Sequence, residues 1–315
     1  MPGENCTLVS EFILVGFSTL PSRLQPVLFV LILLMYLSTL LGTLLIVITV
    51  RNERKLQTPM YHYLCTLSLS EIFYTFAIIP KMLSDLLSTQ RTISFLGCAN
   101  QMFFSFTFGF THSFLLTTMG YDRYIAICHP LRYKVLMSPQ RCMQLVATSC
   151  FSGLVMGLVV TGAVFHLSFC GPNEIHHFFC HVPPIVKLAW GHVSVTALAV
   201  GMLCITALLG CFLLILLSYA FIVATIVKIP SAEGRHRAFS ICVSHLTVVV
   251  VHYGFASVIY LKPKAPRALE GDTLMGVTYT VLTPFLSPII FSLRNKELKN
   301  ILKKTIKDCL FPPSM

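Results

Sequence analysis

PVLFVLILLMYLSTLLGTLLIVITV, residues Pro26–Val50, runs for 25 residues without a charged side chain. As a helix rising ~1.5 Å per residue it exceeds the ~30 Å hydrocarbon core of a bilayer, and a helix satisfies every backbone polar group within the segment. A membrane-spanning strand would be about ten residues long and alternate in polarity. Neither Leu28–Ile48 nor Leu208–Leu217 alternates, so the stretch is read as a helix. Residues 1–22 carry Glu4 and Glu11 and no Lys or Arg, unlike the basic start of a secretory signal, which makes the run an uncleaved span. Arg51, Arg54 and Lys55 follow at once, and the positive-inside rule puts them in the cytoplasm.

Six further stretches read the same way: Met60–Pro80, Cys98–Tyr121, Met143–Leu167, Val195–Val227, Phe239–Leu261 and Thr273–Leu293. The second and third spans are the most polar, with Glu71 and many Ser and Thr. The whole composition agrees. Of 315 residues, 55% are hydrophobic and 11% charged, against about 25% charged in a soluble domain. The expected fold is an all-α membrane protein, a seven-transmembrane helix bundle. Its parts are an extracellular N-terminus over 1–25, the bundle over 26–293 and a cytoplasmic tail over 294–315.

The net charge of +11 raises the question of an anionic partner. Sixteen of the 23 Lys and Arg fall on the side of Arg51 once seven crossings are laid out, so the excess is chiefly an orientation signal and no nucleic acid is implied. The chain is then multi-pass in the cell membrane, N-terminus outside and C-terminus inside. Asn5-Cys6-Thr7 becomes a lumenal glycosylation acceptor. In the tail, Leu298, Ile301, Leu302 and Ile306 share one helical face and lysines the other, giving a short amphipathic cytoplasmic helix on the bilayer surface. Cys309 just beyond it is a candidate palmitoylation site or an ordinary thiol.

At the cytoplasmic end of the third span stands Met119-Gly-Tyr-Asp122-Arg123-Tyr124-Ile-Ala-Ile-Cys128-His-Pro130-Leu-Arg132-Tyr133. A carboxylate beside a guanidinium at the membrane edge neutralises it at rest, and release of the guanidinium exposes a fork of donors for a partner's carbonyls. Thr58-Pro-Met-Tyr61, Ser218-Tyr219, Arg235-His-Arg-Ala-Phe-Ser-Ile-Cys242-Val-Ser-His245-Leu and Pro288-Ile-Ile-Phe291-Ser-Leu-Arg294 follow in order. This ordered set, covering essentially the whole chain, closely resembles the olfactory receptors of the rhodopsin-like G-protein-coupled superfamily, and Phe169-Cys170-Gly-Pro-Asn resembles their tetrapod class II branch.

The resemblance implies a receptor, not an enzyme, that binds a small volatile odorant, uses no cofactor and activates a heterotrimeric G protein of the stimulatory, olfactory type to raise cAMP. Asp122, Arg123, Tyr124 and Tyr219 would form the G-protein switch. Glu71 would be the acid of the intramembrane polar network, holding a proton or a sodium ion or serving only in packing. In that network Thr43, Ser287 and Phe291 depart from the family's usual Asn, Asn and Tyr, and Phe291 offers no hydrogen bond. Cys98 and Cys180 match the receptor-wide disulfide. Cys170 lacks its usual loop partner, since Trp190 stands there, which leaves a free thiol or a bond to Cys6. His176, His177, Cys180 and His181 have the composition of metal ligands, but a bridged Cys180 has no thiolate to offer, so no metal is expected.

From Cys98 to Tyr121 there is no acid to anchor a cationic ligand. Ser105, Phe106, Gly109, Phe110 and Ser113 lie on one wide face, apolar with a few hydroxyls, which suits small neutral apolar molecules. By the resemblance, Leu203, Ala207, Tyr253, Ala256, Tyr260 and Thr280 complete the cup, and His112 falls deeper, in an interhelical hydrogen bond. A transporter would show repeated halves, and an intramembrane enzyme a convergent catalytic motif; neither is found. A non-olfactory receptor for a small apolar ligand stays open on sequence alone.

Overall fold

The computed structural model describes residues 9–18, 20–191, 193–261, 269–294 and 300–301, with the backbone alone at 55, 237, 241, 255–261, 269–275 and 292–294. Asn5, Cys6, Cys309, the side chains of Ala256 and Tyr260, and all of the expected tail helix except Asn300 and Ile301 lie outside that set.

Seven long helices occur among the described residues: α1 Gln25–Asn52, α2 Pro59–Leu87, α3 Phe95–Cys128, α4 Pro139–Phe165, α5 Val193–Val227, α6 Ala232–Leu261 and α7 Leu269–Arg294. Each matches one expected span, and most run beyond it because capping, not the end of the apolar run, sets the boundary. Ser94 starts α3 by accepting a hydrogen bond from the Gly97 N–H at 3.0 Å. Ser138 caps α4 through the Arg141 N–H at 3.3 Å, and Pro139 supplies the preset φ of a first helical residue. Glu53, in extended conformation, ends α1.

Four helices, α1, α2, α4 and α5, are long and apolar enough to cross a membrane by composition alone. Among the described side chains, α6 and α7 are apolar over Cys242–Gly254 and Gly276–Phe291. The reason α3 reads as polar is its position. It packs against α2, α4, α5 and α6, and buries Gln101, Ser105, Thr107, Thr111, His112, Ser113, Asp122 and Arg123 among them. The periphery is apolar instead: Leu31, Leu34, Leu41 and Leu44 on α1 and Leu209, Leu213 and Leu217 on α5 are each at least half exposed. Such a belt is what a bilayer, not water, solvates.

The α3–α4 seam is a close helix contact. A Cβ on Gly153 would stand 2.0 Å from Thr111 Oγ1 and 2.7 Å from the Thr107 carbonyl oxygen. Small residues let membrane helices approach to backbone contact, where dispersion replaces the hydrophobic drive that lipid removes.

The all-α expectation omits a cap over the N-terminal end of the bundle. Strand β1 (Glu11–Leu14) pairs antiparallel with β2 (Thr92–Ser94), placing Phe12 opposite Ile93, and parallel with β4 (Glu174–Ile175), placing Ile13 opposite Glu174. Strands β3 (Ser168–Phe169) and β5 (Ala189–Trp190) make a second, two-stranded ladder. Phe12 is fully buried, with ring centroids 6.0 Å from Phe95 and 5.7 Å from Phe169. The segment before α1 is therefore folded onto the loops from Glu11 onward.

Candidate functional site

At the far end of α3 from the cap, Arg123 Nη2 donates to Asp122 Oδ2 at 2.5 Å. The Tyr133 hydroxyl, carried on the one-turn helix Tyr133–Leu136, donates to Asp122 Oδ1 at 2.8 Å. Both carboxylate oxygens are thus engaged, and Asp122 is 1% exposed. Burial, and then the neighbouring carboxylate, push the Tyr133 phenol above its ordinary pKa, so it remains a donor. Hydrogen bonds to charged groups contribute about 1.5–3 kcal/mol each. The arrangement is a latch that holds the guanidinium within its own helix.

A second tie lies two turns inward. His245 Nε2 is 2.9 Å from the Leu116 carbonyl oxygen, which can only accept, so the proton sits on Nε2. Nδ1 is then an acceptor, and the Tyr219 hydroxyl donates to it at 2.8 Å. One histidine thereby joins α5, α6 and α3. The sequence placed Tyr219 in the switch but assigned His245 no role. Tyr124, the third residue of the expected switch, lies toward α5, with its ring 5.8 Å from Phe221 and its hydroxyl 3.3 Å from His129 Nε2.

In the cap-side half the expected ligand face of α3 divides in two. Phe106 and Phe110, with ring centroids 6.2 Å apart, pack with Ala207, Val160, Val200 and Cys204 between α3, α4 and α5. Gly109 and Ser113 turn toward α2, α6 and α7: Tyr74 is 3.9 Å from the Cβ position of Gly109, and the Ser113 hydroxyl is 2.9 Å from His252 Nε2. Ser105 is buried, its hydroxyl donating to the Met102 carbonyl at 2.9 Å and keeping its lone pairs. Tyr253 packs against Phe212 beside Ser113, and Thr280 faces Tyr74. Leu203 is 36% exposed on the outer side of α5 and is not brought to the others.

The polar network likewise has other members than expected. Glu71 is buried beside Ser287, with its Oε1 3.8 Å from His112 Nδ1, beyond hydrogen-bond distance. The His112 ring lies 4.7 Å from that of His252, whose Nδ1 is 3.4 Å from the Tyr279 hydroxyl. Glu71, His112, His252, Tyr279 and Thr283 line a cavity of about 30 Å³, room for one small polar guest. The Thr43 hydroxyl donates to its own helix at Thr39, and Phe291 packs in an apolar cluster with Tyr63, Leu67 and Met119. His252, Tyr74 and Tyr279 carried no sequence signal, because their partners lie on other helices.

Over the cup, Cys98 and Cys180 form the expected disulfide, with Cα atoms 5.5 Å apart. Gln101 supports it, its Oε1 accepting the Cys180 N–H at 2.8 Å and its Nε2 donating to the Ala77 carbonyl at 3.2 Å. Cys170 is disulfide-bonded too, so it is not the free thiol that was one of its two alternatives; the other, a bond to Cys6, concerns a residue outside those described. Gly16 lets the N-terminal segment reach this loop, since a Cβ there would stand 2.5 Å from the Phe178 nitrogen. Burial holds His177 and His181 down to about 3 and about 4, so both are neutral near pH 7. Among the described residues no group of three or more His, Cys, Asp or Glu could hold a metal ion.

The sequence profile described as olfactory receptor matches residues 32–309. Olfactory receptor 10H1 of Homo sapiens is 73% identical over 313 residues, 99% of this chain and 98% of its own length. Olfactory receptor 10H28 of Mus musculus is 59% identical, covering 97% of each chain, and Olfactory receptor 10K1 of Homo sapiens is 54% identical over the full length of both.

Proposed function

This chain belongs to the olfactory receptor family, and on that premise we propose which ligands, partner and orientation it uses. It is a multi-pass odorant receptor that signals through a G protein. The proposed ligand is a small, mostly neutral apolar volatile, held beneath the cap by residues drawn from Ser105, Phe106, Gly109, Phe110, Ser113, Ala207, Tyr253 and Thr280, with Leu203, Ala256 and Tyr260 assigned to the cup by the family resemblance alone. The proposed partner is a stimulatory, olfactory-type G protein that raises cAMP. The cap faces the cell exterior and the Asp122–Arg123 end the cytoplasm, an orientation supported by the 16 basic residues assigned to that end.

The observation that carries the coupling proposal is the Asp122 carboxylate shared between Arg123 and Tyr133. A guanidinium held by a neighbour on its own helix costs little to release when a partner offers carbonyls in exchange. For the ligand, the α3 wall offers hydroxyls and rings but no acid between Cys98 and Tyr121, so affinity must come from apolar area and one or two hydrogen bonds.

Ser105 gives a direct test. Its hydroxyl hydrogen is spent on Met102, so toward a ligand it only accepts, and alcohols benefit where hydrocarbons and ketones do not. Ser105→Val should weaken alcohol odorants by roughly 3- to 10-fold in half-maximal concentration, the worth of one hydrogen bond, and leave matched ketones unmoved. A cAMP dose–response panel on this variant and Tyr260→Phe checks it. Unchanged tuning in both removes the cup from this place.

A further inference from the structure

Between α3, α4 and α5, on the outer side of the bundle and in its Arg123-end half, lies a groove of about 390 Å³. Its walls are Thr117, Thr118, Tyr121, Leu145, Leu217 and Phe221, together with Tyr124, Leu214 and Ser218. Tyr121, Leu214, Leu217 and Phe221 are each more than 40% exposed, so the groove opens to whatever surrounds the helices. In a multi-pass membrane protein that surrounding is lipid. The volume falls in the range of specific small-molecule sites, about 300–1,000 Å³.

The distribution of polarity selects the occupant. Thr117, Thr118 and Ser218 spend their hydroxyls on the carbonyls of Ser113, Leu115 and Leu214 at 3.0, 2.9 and 2.9 Å, and so turn carbon to the groove. The remaining hydroxyls are the phenols of Tyr121 and Tyr124, both at the Arg123 end, and the second of these already meets His129. From Thr117 to Tyr124 the wall rises about 10 Å, at ~1.5 Å per residue. Beyond that end Cys128 Sγ meets Thr225 Oγ1 at 3.1 Å and joins α3 to α5. The slot therefore has a long apolar body and a single uncharged polar terminus.

No lining residue is charged, and Arg123 nearby is held by Asp122. That disfavours a phosphate or carboxylate head, which would enter low dielectric without a counterion. The rings of Tyr121, Tyr124 and Phe221, with centroids 6.4 and 5.8 Å apart in succession, present flat faces. A fused-ring body loses little conformational entropy on such faces, whereas an acyl chain must freeze many bonds. We propose that this groove is a binding site for a membrane sterol, its ring system along Thr118, Leu214 and Leu217 and its hydroxyl at Tyr121.

The inference rests on the cytoplasmic placement of the Arg123 end and on nothing about odorant or G-protein identity. The test uses the full-length receptor in nanodiscs with a diazirine-bearing cholesterol analogue, photolabelled and mapped by mass spectrometry. Label is expected on the peptides of Tyr121 and of Leu214–Phe221, displaced by excess cholesterol and not by phosphatidylcholine. Leu217→Trp, which fills the slot, should abolish that label and leave any label elsewhere unchanged. Tyr121→Phe, which keeps the ring, should weaken displacement by cholesterol roughly 3- to 10-fold, one hydrogen bond's worth. Label spread evenly over the outer faces of α1, α4 and α5, equal competition by phosphatidylcholine, or groove label that survives both substitutions would each overturn the site. Odorant-evoked cAMP measured on the same variants reports the receptor reading independently.

Discussion

Arg123→Ala is expected to abolish odorant-driven cAMP while the receptor still reaches the cell surface. The side chain sits at the end of α3, 8% exposed, and its guanidinium donates to Asp122. Removing it leaves Asp122 with the Tyr133 donor at 2.8 Å and close to the membrane edge, where water can complete its shell, so the bundle survives. The partner loses more. A charged donor fork missing from a protein interface costs about 2 kcal/mol or more, at least a tenfold loss of coupling, and no other described side chain on α3 replaces it. Surface staining should match the unmodified receptor, and the dose–response curve should flatten. A full response from a well-expressed Arg123→Ala receptor would remove this residue from the switch.

Gly153→Val is expected to stop the receptor reaching the surface at all. The position lies in α4, where a Cβ would stand 2.0 Å from Thr111 Oγ1, 2.7 Å from the Thr107 carbonyl oxygen and 2.9 Å from the Thr111 nitrogen. Two of these atoms belong to the α3 backbone and cannot rotate away. The helices must separate, and α3 is the element against which α2, α4, α5 and α6 are all set. Overpacking costs about 1–3 kcal/mol when side chains can adjust and more where backbone must move. Gly162→Val, in the same helix, is the control, since no atom lies within 4 Å of its Cβ position. Flow cytometry of an N-terminal tag should find the second variant on the surface and the first retained inside. Equal delivery of both would mean that the seam is looser than these distances.

How much of this was legible in the sequence follows from which forces are local. A bilayer demands about 20 apolar residues per crossing, so Pro26–Val50 announced its helix and the other spans followed. The ends were less legible, since Ser94 and Ser138 act through single capping bonds that carry α3 and α4 past their apolar runs. The cap was not visible, because its strands are only two to four residues long and the central one pairs with partners some 80 to 160 positions away, as Phe12 with Ile93 and Ile13 with Glu174. The site shows the same division. Asp122 and Arg123 are neighbours in the chain and could be read as a pair. The roles of Tyr133, His245 and His252 arise from contacts that span helices, and nothing in their local sequence marks a histidine as a tie between α5, α6 and α3. The residues around Glu71 divide in the same way: Ser287 was offered by its motif, whereas His112 and Thr283, which line the same cavity, come from other helices and were not read as its neighbours.

The most direct measurement is a cAMP reporter screen of the full-length receptor against chemically diverse volatiles, with Arg123→Ala expressed in parallel and surface levels matched. The expected result is a saturable response to one or more small neutral volatiles, absent from the Arg123→Ala cells, with no matching response to cationic amines. A response carried equally by both receptors would contradict the latch, and one confined to amines would contradict the uncharged cup.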